Sequence, residues 1–585
     1  MNPIFKLIVV LMFSLLFHPL LVFGGNPPFP KAVSLDEFAD RYLNDCYHRH
    51  PGAASMDGIH EYDTELDSMS SEAIASEVGS LKSFQKELDQ FDVSLISKAE
   101  QKIDYQLLEN SIKARLLNLE TIRLWERSPL IYSDLISNSL LSLLLFPYAP
   151  DEVRLRSIIA REKQVHRLLL EARGNLKHIP QVFAERLGHE FFDGTLKFIE
   201  QDIPQAFKEV QNTSLMEEFK AATVESASEV RSFMEELPKM ASASSGDFAL
   251  GTETFSLRLR LEEGIETPLN QLLELAKKEI ERSRNEFKTL ALAISPQKTP
   301  EQVWKDIRED HPAEGKLIEE TKKGLQTLID FIKEKQIITI PPASPPLILQ
   351  TPKFLSSNTF ATVYSPGVFE KTPLTAVYYA TDVEPDWTAE EKNQHLREFA
   401  RPLLWTVNIH EAYPGHYIQG VRMRQAPSKI RMAGPMGSYA FQEGWAHYCE
   451  QMIIEEGFQK QDPTIRIGLL KDALLRLCRC YVGIALHTKQ MTIEEGTAFF
   501  QENDYMDKVT ASEETLRGTY DPMYILYSIG KMALFKLRAD YKSVKGSTFT
   551  LKEFHDRLLS QGNAPIWVLR RVMLPEDKWN QMLGN

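Results

Sequence analysis

His410-Glu411-Ala412-Tyr413-Pro414-Gly415-His416 is followed, 27 residues after its second histidine, by Glu443-Gly444-Trp445-Ala446-His447-Tyr448. The first stretch continues an apolar run, Leu403-Leu404-Trp405-Thr406-Val407-Asn408-Ile409, which reads as a buried helix carrying the histidines. In the zinc-hydrolase motif HExxH the two histidines stand four residues apart, about 40° around a helix, and reach one ion. Here they stand six apart, and a regular helix would splay them by about 240°. The inserted residues break that regularity. Pro414 has no N–H for the carbonyl of His410 and clashes with it, and Gly415 adopts turns closed to other residues. The prediction is a broken helix whose His410 and His416 return to one side.

Outward from this point the chain reads as helical. Toward the N-terminus, amphipathic spacing places helices at 34–49, with Ser34 as N-cap, and at 70–91, 95–126, 150–176 and 205–238, then at 266–292, 300–310 and 314–335. Pro51 to Asp63 reads as a loop. The apolar cluster Leu140–Phe146 is too short to span a bilayer and reads as core. Residues 338–380 change character: ITIPPASPPLILQTP, TFATVYSPG and TAVYYATD are proline-rich or β-branched and suggest a small sheet. Helices resume at 388–413, 438–457, 462–490, 492–503, 524–543 and 551–561. The expected fold class is mostly α: a large two-lobed helical fold with a short β element and a central cleft carrying the metal site. Its parts are 1–25 as signal peptide, 26–337 as N-terminal lobe and 338–585 as catalytic lobe.

At 585 residues the chain exceeds one simple core. Its formal charge of −14 argues against a nucleic-acid partner, which calls for a basic surface. Lys6 followed by the apolar run Leu7–Phe23 reads as a secretory leader with small residues near Gly24. Export to the periplasm or medium is the expectation, with no stable membrane insertion after cleavage; an uncleaved anchor is the alternative. No cysteine directly follows the run, so a lipid-attachment site is absent. Cys46, Cys449, Cys478 and Cys480 are too few for a disulfide scaffold. Buried thiols are expected, and a bridge from Cys449 to Cys478 or Cys480 is the alternative.

Chemically, His410, His416 and Glu443 form a His₂Glu ligand set of the kind that holds catalytic zinc and leaves a position for water. Glu411, beside a ligand, is placed to act as general base. His447, one turn from Glu443, would donate to substrate or to an oxyanion, or replace His416 as ligand. Glu450 would orient a liganding histidine. Tyr527 is a second electrophile for a tetrahedral intermediate, or else a buried helix anchor. Arg517, read as lying with Tyr520 in a loop, would clamp a substrate carboxylate, or else form an ordinary ion pair. His60 reads as a packing residue.

At these motifs the chain resembles a large bacterial family known as domain of unknown function 885, whose members carry HEAYPGH and then EGWAxY with a following glutamate. Both stand here unchanged, at 410–416 and 443–450. The loop Pro51 to Asp63, Leu250-Gly251, Tyr378-Tyr379 and Tyr527-Ser528-Ile529-Gly530-Lys531 match further family positions. The resemblance implies a mostly helical fold and a zinc site of the gluzincin type, similar to thimet oligopeptidase and bacterial zinc carboxypeptidases. The expected activity is zinc-dependent hydrolysis, with a peptide or small amide as substrate. A hydrolase of a non-peptide amide or ester, and a non-catalytic envelope protein with structural metal, are the alternatives.

Overall fold

A computed structural model describes residues 34–583 except 97, 243–245, 353–359 and 385–386. The expected signal peptide lies outside the described residues. No described helix is long and apolar enough to cross a membrane.

Local sequence explains most helix starts. Ser34 caps α1 (Leu35–Arg49) in a capping box with Glu37, and Ser70 caps α2 (Ser71–Leu88). The predicted helix 95–126 is shorter. It runs as α3 (Ala99–Leu116) and widens into a π turn at Leu117–Ile122. The predicted 150–176 breaks at Lys163-Gln164 into α4 (Asp151–Glu162) and α5 (Val165–Asn175), and 205–238 is observed as Thr213–Ser242. A helix at Leu130–Ser142 went unread because its serines blur the apolar period. Pro51 to Asp63 is not all loop: Pro51 opens a short helix to Met56, since a missing N–H costs nothing at a first helical position.

In the second half, α6 (Leu269–Ile294), α7 (Arg401–Glu411), α8 (His416–Met423), α9 (Tyr439–Glu455), α10 (Pro463–His487), α11 (Lys508–Tyr520) and α12 (Leu526–Lys545) surround the motif. The β element is a three-stranded sheet in the order β1 (Leu347–Gln350), β3 (Val377–Ala380), β2 (Ala361–Tyr364), with β1–β3 parallel and β2–β3 antiparallel. Central β3 is the most buried strand. Its Tyr378 hydroxyl donates to Asn408 Oδ1 at 2.9 Å, which fixes the sheet to α7 two residues before His410. The core around the motif also holds apolar residues between Phe255 and Ala276 and between Leu325 and Ile338, so those stretches share their packing with the motif region. All four thiols are free and buried.

Helices α9 and α12 touch backbone to backbone. A Cβ on Gly530 would collide with the carbonyl of Ala440, and one on Gly444 would lie 2.6 Å from Gly530 Cα. Gly530→Ala is therefore expected to destabilise the protein by about 3 kcal/mol, because neither backbone can yield without moving Glu443. Denaturant titration checks this; a loss within about 0.5 kcal/mol, the size of a neutral surface change, would mean the contact is slack.

Buried carboxyls set the pH dependence. Burial pushes Glu162 up to about 8, and Glu263 and Asp504 up to about 7. Against the cost of burial, hydrogen bonds to Asp67 and Glu77 lift His50 to about 9. Each folded value lies above the unfolded one, so the folded state holds more protons and its stability is lost as pH rises through these values. His487 and His555, depressed by burial to about 4 and about 3, lose stability only below their unfolded value of 6.5. The thermal midpoint is expected to fall between pH 6.5 and pH 8, and a rise over that window would contradict this assignment.

Candidate metal centre

Helix α7 ends at Glu411 and α8 begins at His416, so the chain breaks where Pro414 and Gly415 stand. The Gly415 N–H donates to the carbonyl of Ile409 at 3.0 Å. Gly415 is required for close approach and not for a left-handed backbone: its φ is −69°, and a Cβ there would strike the carbonyl of His410. Trp445 secures the break from α9, its indole N–H donating to the carbonyl of Pro414 at 3.0 Å.

The break returns His416 to His410. Their rings stand perpendicular with centroids 4.7 Å apart. One carboxylate oxygen, Glu443 Oε2, lies 3.6 Å from His410 Nε2 and 3.5 Å from His416 Nε2. Ligands bonded to one zinc at tetrahedral angles stand roughly 3.3 Å apart, so this triangle suits such an ion with a small contraction. Glu411 is on the same side: ligand atoms of His410, Glu411 and His416 all lie within 4.8 Å of one another. Two carboxylates therefore compete for the role of ligand. Glu411 Oε2 accepts the Val363 N–H of β2 at 2.9 Å, whereas Glu443 Oε2 faces both imidazoles.

Charge is concentrated in a largely buried site. Burial alone would depress His410, but Glu443 and Glu450 carry it up to about 10. Burial opposes ionisation of Glu443, yet the imidazoles of His416 and His410 hold it well below the usual carboxylate range. Burial raises Glu411, with both imidazoles and the Val363 N–H opposing. Glu450 is wholly buried and accepts from His410 Nδ1 at 2.6 Å and His447 Nδ1 at 2.9 Å, with Arg476 Nη2 at 3.4 Å from the same carboxylate.

The remaining residues read from sequence separate. His447 does not join the imidazole pair: its Nδ1 is held by Glu450 and its Nε2 faces Lys531 Nζ at 3.4 Å. Tyr527 stays with the centre. Its hydroxyl lies 3.4 Å from that of Tyr439, its ring takes Arg476 and Arg479 at 5.5 and 5.6 Å, and burial and then Glu443 raise its pKa. Arg517 and Tyr520 lie on α11 and not in a loop, because Asp507 caps that helix through the N–H groups of Val509 and Thr510. Arg517 pairs with Asp521 at 3.0 Å, and Tyr520 packs edge-on against Phe191. His60 bridges Asp63 at 3.0 Å and Glu370 at 2.9 Å and stacks on Tyr148. Arg476 and the Val363 N–H join the centre without being expected from the sequence. The arginine sits amid an apolar helix period, which was a usable signal; a backbone donor leaves none.

Two solved structures share this fold. A "putative lipoprotein of unknown function" from Shewanella oneidensis is 23% identical, with a TM-score of 0.78 over 93% of this chain and 100% of that one. A "putative lipoprotein" from Colwellia psychrerythraea is 18% identical, with a TM-score of 0.75 over 92% of this chain and 98% of that one. No curated protein matches the chain. Residues 51–573 match the family described as "Bacterial protein of unknown function (DUF885)", and the chain belongs to that family.

Proposed function

We propose that the protein is an exported zinc-dependent hydrolase, with short peptides as its substrates. The observation that carries this reading is the single Glu443 oxygen 3.6 and 3.5 Å from the Nε2 atoms of His410 and His416, with Glu411 alongside. His410, His416 and Glu443 would hold the ion, as a His₂Glu set does in catalytic zinc sites. Bound there, zinc supplies Lewis acidity and brings the pKa of water toward neutrality.

The chain's own groups supply the rest. Glu411, steadied on one oxygen by the Val363 N–H, has the other oxygen free to accept a proton and later deliver it to a leaving amine. The Tyr527 phenol, kept protonated by its raised pKa, can donate to a developing oxyanion. Glu450 holds His410 by Nδ1, so that Nε2 is the free ligand atom. Export rests on the apolar leader after Lys6; both structural relatives are described as lipoproteins, which agrees with an envelope or exported location.

The test is a peptide library digested by purified protein and read by mass spectrometry, beside amide and ester substrates, with metal content measured on the same sample. About one zinc per chain and chelator-sensitive peptide cleavage are expected. Cleavage of the esters or non-peptide amides alone would replace the peptidase reading, and metal without any turnover would leave a structural site.

A further inference from the structure

Behind α9, on the side of His447 turned from the imidazole pair, lies a cavity of about 420 Å³ between α6, α9, α10 and α12. None of His410, Glu411, His416 and Glu443 lines it. Two of its polar lining groups are incompletely satisfied. Ser528, 1% exposed, has a hydroxyl with no hydrogen-bond partner, and Lys531 reaches only His447 and has no ion pair among the described residues.

The other cations around it are partly spoken for. Arg466 is held by Glu286, Arg282 by Glu279, and Lys536 by Asp540. Lys278 at the exposed rim has no ion pair among the described residues. The lining holds five cations and one carboxylate, Glu279, an excess of positive charge that Glu286, Asp540 and Glu450 behind the lining offset only in part. Between these polar groups the lining carries apolar side chains, among them Leu275, Leu469, Leu477, Met532 and Phe535.

A half-buried ammonium and a buried hydroxyl one turn apart on α12, beside apolar side chains, match an anionic head on an apolar body. We infer that this cavity binds a small organic carboxylate, its head on Lys531 and Ser528 and its aliphatic body among Leu275, Leu477 and Phe535. The site stands independently of the hydrolase reading, since it needs neither the metal nor turnover.

Calorimetric titration of octanoate into the full chain tests this, with n-octanol and inorganic phosphate as parallel probes. Saturable octanoate binding is expected, at least about tenfold tighter than either comparator, because only octanoate offers both an anionic head and an aliphatic body. Lys531→Met should weaken it at least about tenfold through the lost charged hydrogen bond, and Leu275→Trp should block it by filling the wall. His416→Ala, in the candidate metal centre, should leave it unchanged. Absence of saturable binding overturns the inference. So does binding untouched by both cavity variants, or binding abolished by His416→Ala alone. Equal binding of phosphate or octanol overturns the carboxylate assignment.

Discussion

Glu411→Gln is expected to retain about one zinc per chain and to lose turnover by roughly a hundred- to ten-thousand-fold, the usual contribution of a positioned general base. Glutamine has the same shape, and its carbonyl can still accept the Val363 N–H now bonded to Glu411 Oε2 at 2.9 Å. The sheet contact therefore survives, and so does the triangle of His410, His416 and Glu443. What disappears is basicity at the oxygen facing the reacting water. Metal analysis and turnover number on one preparation separate the possibilities. Unchanged turnover would remove Glu411 as the base. Loss of metal would make Glu411 a ligand, a role its place within 4.8 Å of both imidazole donors keeps physically open.

The break between α7 and α8 was legible because it is written in covalent chemistry. Pro414 cannot donate, and Gly415 alone fits beneath the carbonyl of His410, so two residues sufficed to predict that a helix must end there. The helix cap at Ser34 was legible for the same local reason. The identity of neighbours was not. Glu443, His447 and Glu450 share one face of α9, and spacing alone leaves open whether His447 or His416 is the second imidazole of the candidate site. Which one points where is decided by α7 and α12: His410 takes both glutamates, and Lys531 takes the outer nitrogen of His447.

Glycines show the same limit. Within helices, Gly444 and Gly530 read only as weak helix formers. In three dimensions they are the contact that brings α9 against α12, and so bring Glu443 and Tyr527 into one region. The short β element was legible as strands, but its use was not. Tyr378 and the Val363 N–H hold Asn408 and Glu411, so the sheet serves as a brace for the motif helix. Arg517 lies on a helix and not in the expected loop because the cap ten residues upstream at Asp507 starts a helix that continues through Gly518.

Glu450→Ala is expected to destabilise the protein by about 3–5 kcal/mol, the range for removing one partner of a buried ionic network, and to weaken zinc binding about 10- to 100-fold. The carboxylate is wholly buried and serves three groups: His410 at 2.6 Å, His447 at 2.9 Å and Arg476 at 3.4 Å. Without it, Asp472 is the one ion pair left to Arg476 among the described residues, and the arginine's Nε already lacks a partner. His410 then loses the acceptor that fixes its ring and directs Nε2 at the candidate ion. Glu450→Gln separates the two losses. Its amide oxygen can still accept from His410 Nδ1, so zinc affinity should recover more than stability, which depends on the missing negative charge. Chemical denaturation of the metal-free protein and zinc titration against a competing chelator read the two quantities apart. An alanine variant within about 1 kcal/mol of wild type, below the cost of a lost buried charge pair, would show that water or a neighbouring acid replaces Glu450.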